Sequence, residues 1–216
     1  MAKAVAASIL AVVMLAVSGP GTKAGWWHFR IGMAFFAASA LVALVALVLA
    51  AMAWKRSGRG ALVCAIIALI VSAIVALPIL NARGKPLIHD VSTDLDDPPA
   101  FVAIVPPQPG LDPMLQLQAY GDLKSLQVAM PTNEAFQRAV SVVESMGWSV
   151  AAADQARGII EATDTTSWFG FKDDVVIRVK PSALGSKIDV RSTSRVGKSD
   201  TGTNAARIRD FLEEME

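Results

Sequence analysis

The sequence predicts an α+β protein: N-terminal transmembrane helices, then a small domain built as helix, four-stranded antiparallel meander, helix. Three observations carry that expectation. Residues 1–80 hold three long apolar runs and no Asp or Glu. Residues 131–216 place period-two stretches between two segments with helical spacing. Between these regions, seven of the 11 prolines fall from Pro98 to Pro131, where missing donors and fixed φ exclude a long helix or a central strand. The expected organisation is a transmembrane region over 1–80, a proline-rich extended arm over 81–130 and an extracytoplasmic α+β domain over 131–216.

The apolar runs cover about residues 4–18, 31–54 and 61–80. The second and third are long enough to cross a hydrocarbon core of roughly 30 Å. The first is short for a span, and "AVSG" at its end also fits a signal-peptide cleavage site. Cys64 is the only ionisable side chain in the last two runs, which argues against a proton relay or ion path. Alanines throughout allow close helix packing. The short loop "KRSGRG" carries three positive charges, so the positive-inside rule puts it in the cytoplasm and everything after Asn81 on the far side. Trp26, Trp27 and Trp54 fall where aromatic rings favour the membrane interface.

Composition agrees. The chain is 53% hydrophobic with a net charge of +1, and its mean hydropathy is +0.46. That near-neutral total hides a split: six basic residues and no acid in 1–80, then 14 basic residues against 19 acids in 81–216. An acidic domain without a basic stripe is a poor nucleic-acid binder. With one cysteine, the chain has no internal disulfide framework and no thiolate metal site.

The arm is expected to lie across the folded domain, with Phe101, Val102, Ile104 and Val105 packing onto it. Its opening stretch "IHDVSTDLDD" gathers His89, Asp90, Asp94, Asp96 and Asp97. One His with several acids is a conceivable divalent-metal or acid/base site. The spacing matches no EF-hand, and a zinc site usually takes more than one His or Cys. Turn chemistry is the simpler reading, because Asp, Ser and Thr side chains bond to nearby amides. No metal or other cofactor is expected.

From Pro131, "PTNEAFQRAVSVVESMGW" sets Phe136, Ala139, Val140, Val143 and Met146 on one helical face. Thr132 or Asn133 is suited to cap its start and Gly147 to close it. "WSVAAAD" and "GIIEATDTT" read as a hairpin, with Trp148, Val150 and Ala152 inward. "DDVVIRVKP" and "SKIDVRSTS" supply two further alternating strands, and Ile208, Phe211, Leu212 and Met215 form the stripe of a final helix. Both helices are expected on one face of the sheet, leaving a polar face open to water or covered by the arm. Trp168, Phe169 and Phe171 fall in a connection, as a binding surface, a membrane contact or a cover over the core.

Within "SRVGKSDTGTNAARIRDFL", the triplet Gly197-Lys198-Ser199 resembles the end of a phosphate loop. A Walker A loop would need glycine at position 192, where Ser192 stands, and a parallel α/β setting instead of a meander. No nucleotide is therefore expected. A milder reading is an anion- or partner-binding loop made by Arg195, Lys198, Ser199, Asp200, Asn204 and Arg207 at the start of the last helix. The alternative is a loop that locks this helix to the sheet, with Asp200 as its cap or in an ion pair.

Together, "IHDVSTDLDDPP", "AMPTNEAFQRAVSVVESMGW", "GFKDDVVIRV" and "IDVRSTSRVGKSDTGTNAARIRDFL" resemble the family known as domain of unknown function 1499. The last motif is the most specific. The resemblance implies no catalytic residue, because the family has no assigned activity. Members with a membrane-spanning N-terminus look bacterial, which implies a multi-pass inner-membrane protein with a periplasmic C-terminal domain. Other members carry a cysteine in the opening segment, and this chain has none there. A fainter likeness of pattern is to the helix-grip domains of the lipoprotein C subunit of the outer-membrane barrel assembly machine.

The function expected is a non-enzymatic envelope protein. Its partners are the lipid bilayer and an envelope protein, lipid or cell-wall component, with no nucleic acid and no nucleotide. The alternatives are a metal-dependent or acid/base hydrolase using His89 with Asp90, Asp94 or Asp97, and a small-anion sensor at the Arg195–Arg207 loop.

Overall fold

In the computed structural model the chain forms two compact units, one of residues 1–83 with 166–170 and one of 84–165 with 171–216. The structure describes residues 1–108 and 110–216; Pro109 of the proline-rich run lies outside the described residues.

The first unit is built on α1 (Ala2–Lys23) and α2 (Phe29–Ala82). Both are long and apolar enough to cross a membrane. Ser57 interrupts α2 with a non-helical φ of −147° and ψ of 42°. The chain reverses there. Ala43 and Ala46 share a core with Ala68, Val71 and Val75, residues that a straight helix at about 1.5 Å per residue would carry some 40 Å away. Ala11 and Leu15 of α1 complete that core, and Ala4 packs with Ala50, Ala61 and Cys64 near the bend. Three antiparallel segments result, with alanine at their closest approaches. The larger side chains face outward: Leu41 is 66% exposed and Met52 78%. Trp168 and Phe169 belong to this unit. The Trp168 indole occupies the space a Cβ on Gly19 would take, 2.2 Å from Cδ1, and the Phe169 ring meets Phe36 edge-on at 5.7 Å.

The second unit begins with β1 (Asp90–Ser92), α3 (Pro113–Tyr120) and β2 (Leu126–Val128). It continues with α4 (Thr132–Ser145), β3 (Ser149–Asp154), β4 (Ile159–Thr165), β5 (Lys172–Ser182), β6 (Gly185–Ser194) and α5 (Thr203–Met215). The sheet is antiparallel in the order β1-β6-β5-β4-β3, with β2 also on β6. The expected meander is present as β3 to β6. The sheet has six strands and not four, because the proline-rich segment adds two of its own. β1 pairs with residues 191–193 and β2 with residues 186–188. Each spans three residues, too few to show an alternation, and each lies on one outer side of β6, where proline nearby is tolerated.

Helices α4 and α5 lie on one face. Phe136, Ala139, Val143, Ile208, Phe211 and Met215 bury against Ile160, Val175, Ile177, Val179, Ile188 and Val190. Gly147 ends α4 at φ +75°, its amide bonding the Glu144 carbonyl at 3.0 Å. Pro131 takes the N-cap position of α4 without a side-chain bond, so neither Thr132 nor Asn133 serves as that cap. Val150 is exposed, not inward as the alternation suggests. Val150 pairs with the core residue Ala162 and is exposed because β3 is the edge strand; the register then shifts, so that Ala152 pairs with Glu161 and falls on the opposite face.

Candidate functional site

Successive strand residues point to opposite faces, and this rule sorts the charges. On the face away from the helices, Asp174, Arg178 and Lys180 of β5 lie beside Lys187, Asp189, Arg191 and Arg195, the last just beyond β6. Glu161 joins them from β4, paired in register with Val176. Segment 94–108 crosses this face as a strap, and each of the charged groups just named has a partner.

At one end Arg178 reaches Asp189 at 2.8 Å, Asp97 at 3.0 Å and Asp94 at 3.5 Å. Lys187 adds a bond to Asp94 at 2.7 Å and Lys180 one to Asp97 at 3.1 Å. The Lys187 ammonium, with the Asp97 backbone amide, holds the Asp94 carboxyl below its usual range, and Asp94 in turn raises the Lys187 pKa. Lys180 lowers Asp97. In the middle, Glu161 is 1% exposed. Its carboxylate accepts the amides of Val102, Ala103 and Ile104 at 2.7–3.0 Å. Arg191 donates to Asp90 at 2.8 and 2.9 Å, with its guanidinium 5.6 Å from the centre of the Phe101 ring. At the far end Arg195 forks onto Asp174, both bonds 2.8 Å, which raises the guanidinium pKa further.

This geometry places each residue of the proposed acid/base set. Asp94 and Asp97 come together on Arg178. Asp90 is fully buried against Arg191 and also accepts the Gly110 amide at 3.0 Å. His89 stands apart, its Nε2 2.9 Å from the Gln108 carbonyl oxygen. Asp94 also accepts the Asp96 and Asp97 amides at 3.2 and 2.9 Å, the turn chemistry expected of this stretch. Among the described residues no three His, Cys, Asp or Glu side chains converge as a metal cluster.

The anion-loop residues divide between the two faces. Asp173 and Asp174 are adjacent, so one faces α5 and the other the strap. Arg207 of α5 takes Asp173 at 2.7 Å and Asp164 at 2.8 Å, and also donates to Ser192 Oγ and Asn204 Oδ1. Asn204 is fully buried and donates to the His89 carbonyl and Ser194 Oγ, both at 3.0 Å. Asp200 accepts the amides of Gly202 and Asn204 and so holds the turn before α5, whose N-cap position is Gly202 at φ +89°. Ser199 donates to the Pro86 carbonyl at 2.9 Å. Arg195 turns to Asp174, while Lys198 is exposed.

Sequence reasoning missed Glu161, Asp173, Asp174 and Arg178 as organising residues. The adjacent Asp173-Asp174 pair inside a strand was the readable signal, since one acid must then enter each face. It also missed the apolar surface of α3. Met114 is 78% exposed and Leu117 57%; with Asp112, Leu115 and Gln118 they form one open surface patch along the helix.

The ion pairs run from Asp90 at the start of β1 to Arg209 of α5, and Arg138 adds a hydrogen bond to the Glu214 carbonyl at 2.6 Å. No curated protein matches this chain. A family model with the description "Protein of unknown function (DUF1499)" covers residues 90–215, the stretch knitted by these pairs and more than half of the chain, and the protein belongs to that family.

Proposed function

We propose that this protein is a multi-pass inner-membrane protein of the cell envelope whose family domain, on the periplasmic side, binds a protein partner and performs no chemistry. The observation that carries the anchoring is the outside of the helical unit. Its surface is Leu, Ile, Val and Met at about half exposure or more, with no acidic residue in 1–80. Water disfavours such a surface and a bilayer does not. α1 stays with the anchor in this reading: Ser18 and Gly19 of the "AVSG" stretch are buried within it. The antiparallel path brings Lys3 and the "KRSGRG" bend to one end and the exit of α2 to the other, which supports a family domain opposite the cytoplasm.

Two features support a binding role. The acids and arginines that would serve catalysis are held in ion pairs, which supports a scaffold more than a reaction centre. The exposed apolar groups of α3 offer a partner a contact surface beside Asp112. A photocrosslinking side chain at Met114 tests this in intact envelopes, with Glu144 on α4 as the control position. A discrete protein adduct at 114 and none at 144 is expected; equal, diffuse labelling at both positions contradicts the proposal.

A further inference from the structure

We infer that the bend of α2 forms a binding site for one anionic phospholipid, with an acyl chain between the two limbs and the headgroup phosphate at Lys55. This rests on the membrane anchoring proposed above. A groove of about 340 Å³ runs between the limbs, within the roughly 300–1,000 Å³ typical of ligand sites. Leu47, Ala51 and Trp54 form one wall, and Ala61 and Ala65 the other. Alanine keeps the furrow open where larger side chains would close it, so a chain of methylenes fits and a polar ligand would find almost no hydrogen-bonding partner.

The charge at one end selects the head. Lys55 lines the groove, Arg56 and Arg59 follow in the bend, and all three are exposed. No Asp or Glu exists in residues 1–80 to neutralise them. A phosphate diester without a countercharge complements this cluster, while the ammonium of a zwitterionic headgroup is repelled by it. Trp54 stands at the mouth, at the depth where indoles favour the headgroup layer.

The test is native mass spectrometry of the full chain in nonionic detergent, given equal phosphatidylglycerol and phosphatidylcholine. Retention of phosphatidylglycerol over phosphatidylcholine is expected. Lys55→Ala should cut that preference about fivefold, the worth of one juxtamembrane charge, while Lys3→Ala, at the same end but off the groove, should change it little. Ala51→Phe fills the groove from an exposed position that the fold does not pack, and should remove both lipids with helicity unchanged by circular dichroism. Equal retention of the two lipids, equal effects of Lys3→Ala and Lys55→Ala, or full retention by Ala51→Phe each overturns the site. Carbonate extraction separates the two claims. A chain that stays in the membrane but shows no preference loses only the groove, whereas a chain released by carbonate loses the anchoring and the groove together.

Discussion

Arg207 shows how single residues of this family domain are spent on structure. It is 5% exposed, and so is its partner Asp173. Arg207→Met keeps the bulk and removes the charge, stranding Asp173 in the interior. Breaking one side of a buried pair costs about 3–5 kcal/mol. The urea midpoint of the detergent-solubilised full chain should fall accordingly, and an unchanged midpoint would contradict the buried pairing. Asp94 gives a pH signature. Its pKa is lowered and that of Lys187 is raised. The Asp94 contribution is present above its unfolded value near 4 and is lost as pH falls through the lower folded value. The Lys187 contribution is complete below about 10 and is lost as pH rises through the higher folded value. The stability gap between the native chain and Asp94→Asn should therefore be largest in the broad range between these limits and close in strong acid. A gap constant down to pH 2 would contradict the pairing.

At the scale of elements, the strap depends on Glu161. One carboxylate accepts three successive amides, an arrangement that needs its charge and both of its oxygens. Glu161→Gln keeps the size but gives up one acceptor and the charge. With charge-assisted bonds at about 1.5–3 kcal/mol each, strap opening should become easier by about 2 kcal/mol. Hydrogen exchange at the amides of Val102 to Ile104 measures this, and unchanged protection would contradict the latch. Much of the element plan was legible in the sequence. The α4 and α5 stripes and the β5 and β6 alternation each repeat often enough to be read locally. Ala152 was misplaced because a bulge changes the count by one residue, and Val150 is exposed because it stands on the edge strand. β1 and β2 escaped because three residues make no pattern, and their pairing is decided by β6 roughly 60–100 positions away. For the site, the loop at Arg195–Arg207 was visible as a motif, but its purpose depends on Asp164, Asp173 and Asp174, whose approach only the folded sheet reveals.

The whole molecule joins an apolar anchor to a domain in which charges serve packing. The three apolar runs were readable because a membrane demands long uninterrupted stretches; the reversal at Ser57 was readable from the basic loop around it. What the domain meets on its far side is a matter of surface, and α3 announces itself only by exposure. The central claim is that the basic bend and the family domain lie on opposite sides of the membrane. Impermeant maleimide labelling of intact spheroplasts tests it most directly. In a Cys64→Ser background, one cysteine is placed at the exposed Lys198 and, in a separate chain, one at the exposed Arg59. The account predicts labelling at 198 in intact spheroplasts and labelling at 59 only after lysis. Labelling at 59 without lysis, or protection of 198, would contradict it.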